Sequence, residues 1–305
     1  METSIDFLAD WKHYMQSRIV DWGHEISSDD SFDAVSYRFF NIENRRIESR
    51  PRKVHEAVGF SCPQAHSIGY GRLRAAFQVG EDVNPYLSRS LLKPDYSDPL
   101  LNDWRIHHFH LGDEIDDSGF VARTGPLLFA MVFRKDVLCI AVMPHGSWSK
   151  QMLVETVRRN WPQAIEPYRL KGVLGLSRDV SDDDIAFLRK GRVNTFVEIE
   201  PGVVYGMIGG GYSTAGTSCM AQMQSMKHEQ LIIDLQAHVV DNIDIFLRSI
   251  ESSGKCIFNK SEFRLHVNDE GFYAVETVTR TGFLLLRHEE LTSTTAASAE
   301  DPRTA

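Results

Sequence analysis

Two almost wholly apolar runs, Leu127–Phe133 and Val137–Met143, are separated only by Arg134-Lys135-Asp136. A polar turn this short predicts a hairpin. Apolar runs without alternation predict strands covered on both faces. The stretch before them, about Trp104–Leu111, reads as a further strand, so three strands follow one another from Asp103 onward. A helix comes next: Ser149 stands where a cap belongs, Met152, Leu153, Thr156, Val157 and Trp161 repeat at helical spacing, and Pro162 marks the end.

The rest of the chain sets the bounds. Its 305 residues allow one large domain or two ordinary ones. Hydrophobic content of 42% and charged content of 25% predict a packed core. A net charge of -9 and a pI near 5.7 argue against broad, nonspecific nucleic-acid binding, while leaving room for a local basic patch. No apolar run is long enough to span a bilayer, so no membrane partner is expected. The first residues lack the pattern of a signal peptide, and Cys62, Cys139, Cys219 and Cys256 form no CxxC pair. Together these make reduced thiols and a cytoplasmic location the expectation.

Taken in order, Ile5, Leu8, Trp11, Met15 and Ile19 share a helical face, Val35–Ile42 reads as a strand, and Ser67–Val79 reads as a helix ended by Gly80. Between them lies a basic stretch, Arg45, Arg46, Arg50, Arg52 and Lys53, either a phosphate-contacting edge or a solvated loop. Residues 92–103 form an irregular link, and 162–180 a connection in which Val173–Leu176 is a possible short strand. Ser181 with Asp184 reads as a capping box opening a helix that Gly191 closes. A hairpin turns at Glu200-Pro201-Gly202, and a glycine-rich segment, 209–216, lacks the spacing of a phosphate loop, which favours a tightly bent connection. A long helix spans Glu229–Ile250, and a final hairpin turns at Asp269-Glu270-Gly271. The expected class is α+β: an antiparallel meander flanked by helices over residues 1–165, a second, smaller α+β domain over 176–288, and a disordered tail at 289–305.

The candidate chemistry lies on the first strand of the meander. His107, His108, His110 and His145 are four of the chain's 12 histidines. Alternation places Ile106, His108 and His110 on one face, with His107, Phe109 and Leu111 on the other. His145 follows the third strand, in Pro144-His145-Gly146-Ser147-Trp148. Three readings are open. The histidines are structural; or His108, His110 and His145 are legs of a metal site; or they perform metal-free acid–base chemistry, with a cation for the developing charge. No cysteine pair or zinc-spaced carboxylate accompanies them, so no tightly bound zinc and no cofactor are expected. In the third reading His108, His110, Arg123 and His145 are catalytic. Arg45, Arg46, Arg50, Ser147, Trp148 and Lys150 hold substrate, and Trp148 or Tyr168 stacks on a base.

Over about residues 101–161, the succession of strand, turn, apolar strand, turn, apolar strand and polar–aromatic loop resembles the three-stranded meander of RelE/ParE/HigB-type toxins. Leu138-Cys139-Ile140-Ala141-Val142-Met143-Pro144-His145-Gly146-Ser147-Trp148-Ser149-Lys150 stands where that family has I-x-L-L-H-x-F followed by basic residues. Of the family's basic run only Lys150 is present, and the helix after the strands is longer. The resemblance implies a metal-independent endoribonuclease, a toxin or phage-defence effector, with RNA as partner, an antitoxin as protein partner and flanking domains that control it. A histidine-liganded metal-dependent hydrolase, or a non-enzymatic interaction or regulatory protein of such a system, is the alternative.

Overall fold

The computed structural model describes residues 2–256 and 260–291. The elements are β1 Glu2–Ile5, α1 Phe7–Asp21, α2 Phe32–Arg45, β2 Lys53–Glu56, α3 Ser67–Val79, α4 Pro99–Trp104, β3 His107–His110, β4 Pro126–Val132 and β5 Asp136–Pro144. They continue with α5 Met152–Asn160, α6 Asp182–Lys190, β6 Val197–Glu200, β7 Val203–Tyr205, α7 Cys219–Asp241, α8 Ile243–Ser252, β8 Lys260–Val267, β9 Gly271–Glu276 and β10 Thr281–Arg287. The protein is α+β, as its sequence pattern predicts. Its contacts form two compact units, one of residues 41–222 and one joining the chain up to Phe40 with the chain from Met223 onward.

The first unit is built on a sheet ordered β2-β5-β4-β3. β2 runs parallel to β5, and the other pairings are antiparallel. Both faces are covered, which explains the unbroken apolar runs. On one face Leu127, Phe129, Met131, Leu138 and Ile140 pack with Trp104, Ile106, Leu153, Val157, Ile185, Val197 and Tyr205. On the other, Phe109, Leu128, Ala130, Val137 and Cys139 pack with Leu73, Ala76 and Phe77 of α3. Each fully buried side chain of this size contributes about 1.5–3 kcal/mol.

The expected domain division near residues 165–180 is therefore overturned: α6, β6 and β7 bury Ile185, Val197 and Tyr205 in the same cluster as Phe129. A buried ion pair ties them further. Arg189 Nε of α6 donates to Asp103 Oδ2 at 2.6 Å, each side chain is 5% exposed, and the guanidinium lies over the Trp104 ring at 4.4 Å. Burial pushes the Asp103 carboxyl up, with Arg189 pulling it down. The glycine-rich segment is a tight connection. Gly209 and Gly211 donate to the carbonyls of Asp103 and Asn102, and a Cβ on Gly209 would stand 2.0 Å from the Leu101 oxygen. Those two amides are engaged, so neither is free to cradle a phosphate.

The second unit has the sheet β1-β8-β9-β10, with β1 parallel to β8. This pairing joins the chain's beginning to its last third, a long-range contact that periodicity cannot reveal. α1 buries Phe7, Trp11, Met15 and Ile19, and the Trp11 ring meets Phe39 and Phe272.

Several local readings change. Val35–Ile42 is not a strand but part of α2: Ser31 Oγ accepts the Ala34 amide at 3.2 Å, and Val35, Phe39 and Ile42 are buried at helical spacing. Its aromatic content suits a strand, and packing decides otherwise. The link 92–103 contains α4, capped by Asp98, whose Oδ1 accepts from Leu100 and Leu101. α5 begins without a cap from Ser149, and Asp182 Oδ1 receives the Gln151 amide instead. Val173–Leu176 is not a strand. The long helix starts at Cys219 and breaks at Asn242, whose side-chain amide donates to the His238 carbonyl. The final hairpin is three strands. Of the expected tail, residues 289–291 continue a helical turn and the rest lie outside the described residues.

Replacing Arg189 with Leu leaves Asp103 buried without its counter-ion. The expected loss is on the order of 3–5 kcal/mol, read from the urea midpoint, and Asp103→Leu with Arg189→Leu together should recover most of it. Equal stability of the single variant and the wild type would show that the pair carries no structural weight.

Candidate functional site

β3 is an edge strand, and its register sets the geometry. His108 lies opposite Phe129, and His110 opposite Leu127. These partners belong to the face that includes Ile106, and His107 lies on the other face with Phe109. The parity expected for the three histidines is the parity found.

His145 reaches the same face by a device that alternation does not predict. The β4–β5 register shifts between Phe129 and Ala130, which leaves Ile140 as an extra residue in β5. Before the bulge Leu138 and Ile140 face His108, and after it Ala141 and Met143 do. Strict alternation would have put His145 on the face of Val137 and Cys139. A bulge of this kind re-aims the strand end. The His145 amide then extends the ladder by donating to the Gly125 carbonyl at 2.6 Å.

Trp148 organises the cluster. Its ring centre is 4.6 Å from that of His108, 5.0 Å from that of His145 in an edge arrangement, and 5.7 Å from that of Phe129. The Trp148 carbonyl accepts from the Arg189 guanidinium, so the buried ion pair also holds the site's aromatic. His145 and Arg123 are exposed, His108 is half-buried, and His110 is 4% exposed. His110 Nδ1 accepts the Thr124 amide at 3.2 Å, which fixes the proton of the neutral ring on Nε2. The Thr124 hydroxyl donates to the Pro126 carbonyl at 2.6 Å and accepts the Leu111 amide.

Burial lowers the imidazoles. It takes His107 and His110 to about 4, with His108, Arg123 and His145 adding to the effect on His110. Burial also lowers His108, opposed by Asp98 and reinforced by His145. His107, His108 and His110 are therefore neutral at pH 7.

Other expected residues lie elsewhere or are engaged. The Arg45 side chain is buried, and its guanidinium donates to the carbonyls of Asn41, Ser90 and Pro94. Arg52 bonds the carbonyls of Phe133, Glu48 and Arg50. The basic stretch is thus in large part a set of internal clamps, since a guanidinium's five donors suit carbonyls that strand and helix leave unpaired. Arg50 pairs with Glu48, Arg46 is half-buried, and Lys150 pairs with Asp182 at 3.0 Å. Ser147 is buried, and Tyr168 packs against the apolar cluster.

No protein-family model matches the chain, and no curated protein or solved structure matches it significantly.

Among the described residues, no three His, Cys, Asp or Glu side chains group so as to hold a metal ion, and no helix is long and apolar enough to cross a membrane. One residue escaped the sequence reading. Asp98 lines a cavity of about 20 Å³ with Arg45, Ser90, His107 and His108, room for about one water. Its signal was the Asp-Pro pair of a helix start.

The lowered His110 has a consequence for stability. In the unfolded chain it takes up a proton near pH 6.5, but in the fold only near 4, so stability falls as pH drops through that window. The shift amounts to on the order of 3 kcal/mol at full effect. Urea midpoints measured from pH 7 to pH 4 should fall less steeply in His110→Gln than in wild type. Parallel slopes would rule out this origin.

Proposed function

We propose that the chain cleaves RNA by metal-independent acid–base catalysis, as a toxin or phage-defence effector would. The observation that carries this reading is the pairing of His108 and His145 about Trp148, one imidazole half-buried and the other exposed, with the exposed Arg123 within electrostatic reach of His110. A half-buried imidazole held neutral suits a base, and charge on His145 further disfavours a proton on His108. In the step proposed, His108 takes the proton of the ribose 2′-hydroxyl as its oxygen attacks phosphorus. The 5′-oxygen leaves with a proton from His145, giving a 2′,3′-cyclic phosphate. Arg123 opposes the charge that builds on the phosphoryl oxygens. Trp148 sets the distance between the two imidazoles. His110, nearly sealed and engaged by Thr124, is a positioning residue.

The competing reading is an interaction or regulatory protein with structural histidines. It draws on the small volume of the cavity beside His107 and His108, which cannot admit a nucleotide.

Purified wild-type protein should cleave single-stranded or ribosome-bound RNA, leaving cyclic phosphate ends. His108→Gln and His145→Gln should each lower the rate by about 10²–10⁴-fold with the circular dichroism unchanged, and His107→Gln should leave it near wild type. As a base with a lowered pKa, His108 is deprotonated above that value, so the loss of rate caused by its protonation should set in below pH 6.5. If folded wild-type protein cleaves no RNA, alone or with ribosomes, the interaction reading replaces this one.

A further inference from the structure

α7 is apolar on two opposite sides. Ser225, Ile232, Leu235 and Val239 are buried. His228, on the same side, lies 5.9 Å from the Trp11 ring centre and 4.7 Å from that of Phe40. This side packs within its own unit. Yet Met223, Met226, Ile233 and Val240 are 45%, 68%, 41% and 49% exposed. With the exposed Gln230 and Ala237 they recur in alternating steps of three and four residues, the seam spacing of a coiled coil. At 3.6 residues per turn, the two stripes lie roughly 150° apart on the helix. A globular helix needs one apolar stripe, and a second such stripe suits another helix.

The flanking charges choose the occupant and its direction. Lys227, Asp234 and Asp241 border one side of the exposed seam, and Gln222, Glu229 and Gln236 the other. A parallel second copy would set Glu229 against the partner's Asp234, twice by symmetry, a like-charge contact. In an antiparallel pair, flanking residues of the same side meet instead. Full overlap of the seam puts Met223 level with the partner's Val240, Met226 with the partner's Ala237 and Gln230 with the partner's Ile233. That register brings Lys227 close to level with the partner's Asp234, twice, and sets Glu229 near the partner's Gln236. Asp234 already accepts a bond from Gln230 at 2.8 Å, which fixes its carboxylate beside the seam.

We propose that two copies of the chain associate through α7, antiparallel and centred between Gln230 and Ile233. The surface is self-complementary, as a two-fold interface must be, and independent of the histidine site.

Sedimentation equilibrium of the full chain at micromolar concentration tests this. Wild type should be a dimer and Ile233→Glu a monomer. Lys227→Asp replaces two attractive contacts with two repulsive ones and should raise the dissociation constant on the order of tenfold. Lys227→Asp combined with Asp234→Lys should restore it, which a merely structural role for either residue would not do. A wild type that stays monomeric across the range overturns the proposal. So does a Lys227→Asp dimer of unchanged strength, or a double variant no tighter than the single.

Discussion

The buried contact of Arg189 with Asp103 is the constraint on which the larger unit turns. One guanidinium neutralises a carboxylate out of water, covers Trp104 and holds the Trp148 carbonyl. Asp103 and Trp104 close α4 shortly before β3, and Trp148 lies in the turn that follows β5. A single side chain on α6 thereby fixes both ends of the meander. Buried pairs of this kind are weak evidence for net stability, but removing one partner is severe, so the arrangement specifies geometry more than it adds free energy.

That geometry is what gives the histidines chemical interest. Imidazoles on a sheet are ordinarily satisfied and inert. Here burial holds three of them neutral, while His145 stays in solvent at the end of a bulged strand. Trp148 keeps His108 and His145 apart yet within electrostatic reach. The carboxylate that acts on His107 and His108, opposing the effect of burial, is Asp98, which also caps α4.

The smaller unit has a different logic. Its sheet is closed by a parallel pairing of β1 with β8, and its packing is rich in aromatic contacts about Trp11 and Phe246. Within it α7 buries one stripe and exposes another, so one helix both completes a core and offers a surface.

Much was legible in the residues alone. The apolar runs with their short polar turn sufficed for the β4–β5 hairpin, and Gly80 for the end of α3. Ser181 with Asp184 sufficed for the start of α6, and strict alternation for the faces of His107, His108 and His110. Each of these depends on neighbours within a few residues. Arg45 looked like a phosphate contact because sequence shows a charge and not the three carbonyls that surround it. Val35–Ile42 looked like a strand because side-chain type is a weaker force than the burial of Val35, Phe39 and Ile42 along one helical side. Tertiary structure alone decided that 176–222 belongs with the histidine sheet, that β1 pairs with β8, and that His145 joins His108. The last depends on one extra residue at Ile140: alternation has a period of two, and a single inserted residue reverses every face beyond it.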